Sequence, residues 1–289
     1  MITPIESYPD LASAIGVSAL YFKREDLHPY GSHKGRSIPV MIDHYYKAGD
    51  RSFVITGSGN AALAAALRIK EINAKSETCT LDIYVGTHIS AHKLEKIKRL
   101  ADDNIRVLIK ERPLQALTEA TKEGVRSLRQ STDDMALIGY ESLAEELAEL
   151  TGISSVFIGT SSGTTAEALA QYFLKHKLPI QVHIVQTSSC HVMSDAFESY
   201  DGPDEPSIAD AIVDKVAQRK ASLIPLIKKT GGRGWTVTNE IIEGAQTMSW
   251  DHTSMEISAN SALSVAGVMQ AASIGFDVGE AVVCLVCGE

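Results

Sequence analysis

Residues 154–173 read SSVFIGTSSGTTAEALAQYF, and the order of side chains within them decides the class of fold. Val156, Phe157 and Ile158 form an unbroken apolar run bounded by serine and glycine, as in a strand buried on both faces. From Thr164 the spacing changes, and Ala166, Leu169, Ala170 and Phe173 fall three and four apart on one side of a helix. Between the two lies the polar turn Gly159 to Thr165. The same order of strand, small polar turn and helix recurs in RSFVITGSGNAALAAAL, residues 51–67.

Working outward, the periodicity predicts strands at LYFKRE, RSFVIT, LDIYVG, IRVLIK, MALIG, SSVFIG, IQVHIVQ and EAVVCLVC. Helical spacing lies between them at AALAAALRIKEI, AHKLEKIKRLAD, LQALTEATKEGVRSLRQ, SLAEELAEL and TAEALAQYFLKH. Strand and helix in alternation imply an α/β fold with mostly parallel, twisted sheets covered by helices on both faces. The most loop-like stretch is SYDGPDEPS, residues 199–207.

Composition narrows the function classes. The 289 residues are 44% hydrophobic and 22% charged, enough apolar material for one large or two medium domains. A formal net charge of −9 argues against nucleic acid or an anionic membrane as the main partner. No apolar run approaches the ~18 residues that span a bilayer, and MITPIESYPD has neither the basic nor the apolar region of a leader. With four cysteines in no disulfide-rich spacing, the chain reads as cytoplasmic.

Cys284 and Cys287 spell C-x-x-C within AVVCLVCGE. Three positions apart in a strand they point to opposite faces with α-carbons ~10 Å apart, too far for a disulfide. No second pair completes a zinc site. His88 and His92 in THISAH have a metal-like spacing without a third ligand, so no metal is expected.

Three short segments carry chemistry. In GSHKGR, residues 31–36, a lysine sits among turn-forming residues directly after the extended run YFKRED. Gly57 to Asn60 and Gly159 to Thr165 each join a strand to a helix start, where free N–H groups attract an anion and where Ser, Thr, Asn and Gly also serve as plain helix caps. GSGNAA also fits the dinucleotide pattern G-x-G-x-x-A, but Asp82 opens the next strand instead of closing it, as a ribose contact requires.

In their order, KREDLHPYGSHKGRS, TGSGNAALAAA, LIGYESLAEEL, GTSSGTTAEAL, SIADAI and VTNEIIEGA resemble the fold type II pyridoxal-phosphate enzymes. These form the tryptophan synthase β superfamily, which includes threonine synthase, serine/threonine dehydratase and cysteine synthase. The resemblance implies two three-layer domains, the smaller (38–143) inserted in the larger (1–37 and 144–289), and a homodimer. It implies that Lys34 forms the Schiff base with pyridoxal 5'-phosphate and acts as the general base. Burial lowers a lysine pKa and so frees the amine for this work. Asn60 would bond the ring hydroxyl, Ser58, Gly59, Asn60 and Ala61 the substrate carboxylate, and Ser161, Ser162, Gly163, Thr164 and Thr165 the phosphate. Cys287 would face the pyridine nitrogen.

That neutral thiol makes the ring a weaker electron sink than an aspartate would, which favours prompt loss of a β-substituent over transamination. The implied activity is elimination and deamination of serine or threonine, or the related threonine synthase reaction. Cysteine synthase-type replacement and a non-catalytic pyridoxal-phosphate-binding protein are the alternatives. His33 stands where dehydratases carry Phe, Gly35 replaces a frequent acid, Ser161 and Thr164 replace common glycines, and MEISANSAL lacks the proline of the family stretch, with Glu256 on the substrate side. Two residues follow Cys287, so no regulatory domain is expected.

Overall fold

The computed structural model describes residues 2–57, 59–75, 78–87, 89 and 91–288. Ser58 and His88 therefore lie outside the described residues. Two compact units are present, Met1–His28 with Tyr140–Glu289, and Pro29–Gly139. The resemblance implies a smaller domain over 38–143, and the compact unit Pro29–Gly139 takes in Lys34.

The chain opens with β1 (Ile5–Ser7), α1 (Pro9–Ile15) and β2 (Ala19–Arg24). The smaller unit follows, with α2 (Lys34–Lys47), β3 (Ser52–Thr56), α3 (Asn60–Asn73), β4 (Thr80–Gly86), α4 (Ala91–Lys98), β5 (Ile105–Lys110), α5 (Pro113–Lys122), β6 (Arg126–Ser127) and α6 (Met135–Ile138). The larger unit resumes with α7 (Glu141–Ala148), β7 (Ile153–Gly159), α8 (Thr164–Lys175), β8 (Gln181–Thr187) and α9 (Lys220–Lys229). It ends with β9 (Gly234–Val237), α10 (Asn239–Thr253), α11 (Ala259–Ser273) and β10 (Ala281–Val286).

In the smaller unit the strands run parallel in the order β5-β4-β3-β6. Successive side chains of a strand face opposite ways. Phe53 and Ile55 pack with Ile38, Met41 and Ile42 of α2 and the alanines of α3, whereas Val54 packs with Tyr84 and with Leu117 of α5. With helices on both faces, β3 has no polar side to show. Ala62, Ala64, Ala65 and Ala66 are buried. Alanine loses no side-chain entropy in a helix, and its bulk lets α3 approach its neighbours closely.

In the larger unit the order is β1-β2-β10-β7-β8-β9, parallel except for β1 against β2. All six residues of β10 are buried. One face packs on α1, α10 and α11 through Phe22, Phe157, Val185, Trp235 and Cys284. A β-carbon on Gly267 would stand 2.5 Å from Val185 Cγ2, so α11 lies flat on the sheet only because residue 267 has none. Val156 and Ile158, on the opposite face, are buried as well. Lys23 is wholly buried, its charge held by Glu146 and by the Thr3 carbonyl oxygen at 2.7 Å.

Three expectations need correction. MALIG is not a strand: Met135–Ile138 is a helical turn, started where the Asp133 carboxylate accepts the Met135 N–H at 2.9 Å. A four-residue apolar run has no period with which to tell the two apart. The helix expected over 114–130 stops at Lys122, because Gly124 turns the chain at φ +94, and Arg126 and Ser127 then pair with β3. Lys34 does not sit in a turn but is the first residue of α2. The short strands β1, β6 and β9 had no alternation long enough to read. Among the described residues no helix is long and apolar enough to cross a membrane.

Candidate active site

Parallel sheets bind ligands outside the carboxyl ends of their strands, at the point where successive connections leave in opposite directions. In the smaller unit the chain passes from β3 to β4 to β5 on one side and returns to β6 on the other. The divergence falls at the end of β3, where Gly57 to Asn60 lie. In the larger unit it passes from β7 to β8 to β9, and β10 returns on the far side of β7. That divergence falls at the ends of β7 and β10, where Thr160 to Thr165 and Cys287 lie. Strand order therefore puts each sequence-selected loop at the switch point of its own sheet.

Lys34 and Asn60 belong to the same unit and open the packed helices α2 and α3. The approach to Lys34 is fixed locally. Gly31 takes φ +77, a conformation that disfavours a β-carbon, and a β-carbon there would meet Leu63 Cδ2 of α3 at 3.4 Å. The buried Ser32 accepts the Lys34 N–H with its hydroxyl (3.3 Å) and the Gly35 N–H with its carbonyl (3.0 Å). Lys34 is half-buried. Gly59, the residue before α3, is extended and has no side chain with which to cap the helix, and the first-turn N–H groups of Asn60 and Ala61 lie at its positive end.

In the larger unit α8 opens on Gly163 at φ +83, again without a side-chain cap. A β-carbon on Gly163 would stand 2.8 Å from Leu223 Cδ2 and 3.3 Å from the Met193 side chain. Ser162 and Thr164 share a hydroxyl contact at 3.0 Å, and Thr164 and Thr165 are buried. The Ser161 hydroxyl accepts the N–H groups of Val213 (3.1 Å) and Asp214 (3.2 Å), which leaves its own proton to donate. Uncapped N–H groups, the four hydroxyls of Ser161, Ser162, Thr164 and Thr165 and a glycine without room for a β-carbon together suit a phosphate.

Behind this loop Glu167 of α8 and Arg219, both almost wholly buried, form an ion pair at 3.0 Å. Neither was singled out from the sequence, although Glu167 is a lone charge between apolar positions of α8. Cys287 follows β10 and is buried, with its thiol donating to the Leu285 carbonyl oxygen at 3.6 Å. Glu256 is exposed and lines a shallow recess with Gln246, Trp250 and Ile257.

A family described as pyridoxal-phosphate dependent enzyme matches residues 2–288. The chain belongs to this family. The pyridoxal-phosphate family chain is also 24% identical over 310 residues to the threonine synthase of Methanosarcina acetivorans, covering 99% of this chain and 74% of that one. Among solved structures it is similar to a pyridoxal 5'-phosphate-dependent aspartate racemase, with a TM-score of 0.83 at 20% identity, over 100% of this chain and 90% of that one. It is similar also to the processed form of threonine deaminase isoform 2 from Solanum lycopersicum, with a TM-score of 0.80 at 21% identity, over 99% and 78%. The fold is thus that of the fold type II enzymes, and pyridoxal 5'-phosphate is the cofactor. The dinucleotide reading of GSGNAA is set aside.

Proposed function

We propose that this chain removes the β-substituent of a small amino acid, serine or threonine, releasing a keto acid and ammonia, or runs the closely related threonine synthase reaction. It would do so as a cytoplasmic homodimer. The observation that carries the reading is Cys287 at the end of β10, one strand over from the anion loop that follows β7. A neutral thiol at the pyridine nitrogen would not stabilise a ring proton as a carboxylate does, so the electron pair freed at Cα would be drawn less into the ring and would instead form the Cα–Cβ double bond as the β-substituent departs with its own bonding pair.

When bound, pyridoxal phosphate supplies an aldehyde for the substrate amine and a ring that draws off the electron pair left at Cα. Lys34 would hold the cofactor through its Nζ, and as a free amine at the start of α2 it would serve as the base for the substrate's α-proton. The N–H groups of Asn60 and Ala61 orient the substrate carboxylate at the positive end of α3. The Asn60 side chain would bond the ring hydroxyl. The N–H groups and hydroxyls of residues 161–165 would hold the phosphate and so fix the ring.

The test is a panel of serine, threonine, O-acetylserine and O-phosphohomoserine with the purified protein, followed by borohydride reduction and peptide mapping. Keto acid and ammonia from serine or threonine, with the cofactor fixed to Lys34, is the expected result. A new amino acid formed from O-acetylserine and a thiol would favour replacement. Indifference to all four substrates would favour a binding protein, and a label at another lysine would remove Lys34 from the reading.

A further inference from the structure

One wholly buried amide ties the anion loop to the segment behind it. Gln186 lies near the end of β8 and has no exposed surface. Its Oε1 accepts the N–H groups of Met193 (2.8 Å) and Ser194 (3.0 Å), while its Nε2 donates to the Thr160 carbonyl oxygen at 3.2 Å. Thr160 is the last residue before the loop, and its own N–H is spent on the Val185 carbonyl oxygen at 2.8 Å.

The Thr160 carbonyl and the Ser161 N–H belong to one planar peptide unit. Holding the carbonyl oxygen in place therefore fixes the direction of the Ser161 N–H, the first donor of the loop. The other end of the amide acts on the same place from behind. Met193, held by its backbone, puts its side chain 3.3 Å from where a β-carbon of Gly163 would stand, and so walls the loop. Ser194 is fixed further by a 2.7 Å hydroxyl contact with Thr236 of β9. A hydrocarbon side chain in place of Gln186 would leave one buried carbonyl and two buried N–H groups unmatched.

We infer that Gln186 is a positioning residue that aims the donors of residues 161–165 at the cofactor's phosphate. This rests on the reading of those residues as the phosphate cradle. It makes a demand that a merely structural amide does not, namely that the loss on substitution scales with the phosphate and not with the rest of the cofactor.

The test uses apo protein, unmutated and as Gln186→Met and Gln186→Glu, titrated separately with pyridoxal phosphate and with pyridoxal, which has no phosphate. Phosphorus NMR of the loaded proteins and urea unfolding midpoints are measured beside the titrations. Gln186→Met keeps the length and loses the amide; it is expected to weaken pyridoxal phosphate about ten-fold, to leave pyridoxal unchanged and to shift the bound phosphorus resonance. Gln186→Glu, titrated at alkaline pH so that the buried carboxyl is ionised, keeps the acceptor for Met193 and Ser194 and loses the donor to Thr160. It is expected to show the same phosphate-specific loss, and it serves alone if Gln186→Met does not fold. Lower midpoints with the phosphate preference and phosphorus resonance of the unmutated protein would overturn the inference, as would equal losses for both ligands. Unmutated protein that binds pyridoxal as tightly as its phosphate ester would instead remove the phosphate from residues 161–165, and the inference with it.

Discussion

A β-carbon on Gly139 would stand 2.4 Å from the α-carbon of Ser37 and 2.5 Å from the Arg36 carbonyl oxygen. These are backbone atoms of the first turn of α2, the turn that opens on Lys34. The Ser37 hydroxyl donates to the Ala136 carbonyl oxygen at 2.7 Å and holds the same two segments together. Gly139→Ala must therefore move the backbone that presents the lysine. The expected cost is about 1–3 kcal/mol of stability, read as a lower urea midpoint, with a drop in turnover larger than the fraction unfolded explains. Wild-type turnover in the folded variant would show that α2 shifts without consequence.

Gly163 meets a different obstacle, side chains in place of backbone. Its φ of +83 already disfavours alanine, and Leu223 and Met193 occupy the space for a β-carbon. Gly163→Ala should lose pyridoxal phosphate by about ten-fold or more, for 1–3 kcal/mol of strain, in an equilibrium dialysis assay. Truncating the obstructing side chain with Leu223→Ala in the same protein should restore part of the affinity, although the φ strain remains.

The Arg219–Glu167 pair has almost no exposure on either side. Removing one partner leaves the other charge buried without its counter-charge, so Arg219→Met should cost about 3–5 kcal/mol. Replacing both, as Arg219→Met with Glu167→Leu, should recover much of the loss, because the desolvation of two charges is then relieved together. A thermal melt of the two variants decides it; a double variant weaker than the single one would show that the pair organises more than itself.

His183 links stability to pH. Its ring stacks on Phe157 at 4.2 Å, and its Nδ1 accepts the Trp235 indole N–H and the Arg233 backbone N–H, both at 3.2 Å, while Nε2 faces the Gln181 side-chain oxygen at 2.9 Å. A proton added to Nδ1 would point at two donors. Burial, and then the nearby Arg233 charge, push the imidazole down to about 3 from 6.5. The unfolded chain takes up the proton first. Stability from this group is complete above about pH 6.5 and falls by roughly 1 kcal/mol per pH unit as the pH drops toward 3. Urea midpoints of wild type and His183→Phe across that window should converge as the pH falls, since the variant is weaker at neutral pH and lacks this slope.

Strands with both faces buried were legible because nothing but apolar side chains can occupy them. SFVIT, SSVFIG and AVVCLV each stand out as a run bounded by small or polar residues. MALI satisfied the same criterion and is helical, because an aspartate two residues before Met135 started a turn that composition did not show. The site loops were legible through their strand-to-helix position, which the order of the strands then explains. Gln186 was not. A glutamine at the end of an apolar strand has no spacing to announce it, and its partners lie 26 residues earlier and 7 and 8 residues later in the chain. Ser161 was read as a phosphate hydroxyl, and nothing in GTSSGTT shows that its oxygen also receives the backbone of Val213 and Asp214.

The wholly buried β10 lies between β2 and β7, strands made more than a hundred residues before it. On the ribosome, β7, β8 and β9 can associate early, but β2 has no parallel neighbour until residues 281–286 have left the exit tunnel. Pro29–Gly139, by contrast, is one contiguous stretch with every strand of its sheet in hand. Vectorial synthesis thus completes the lysine-bearing unit first and leaves the apolar flank of β2 uncovered until last, an interval in which a nascent-chain chaperone has something to hold.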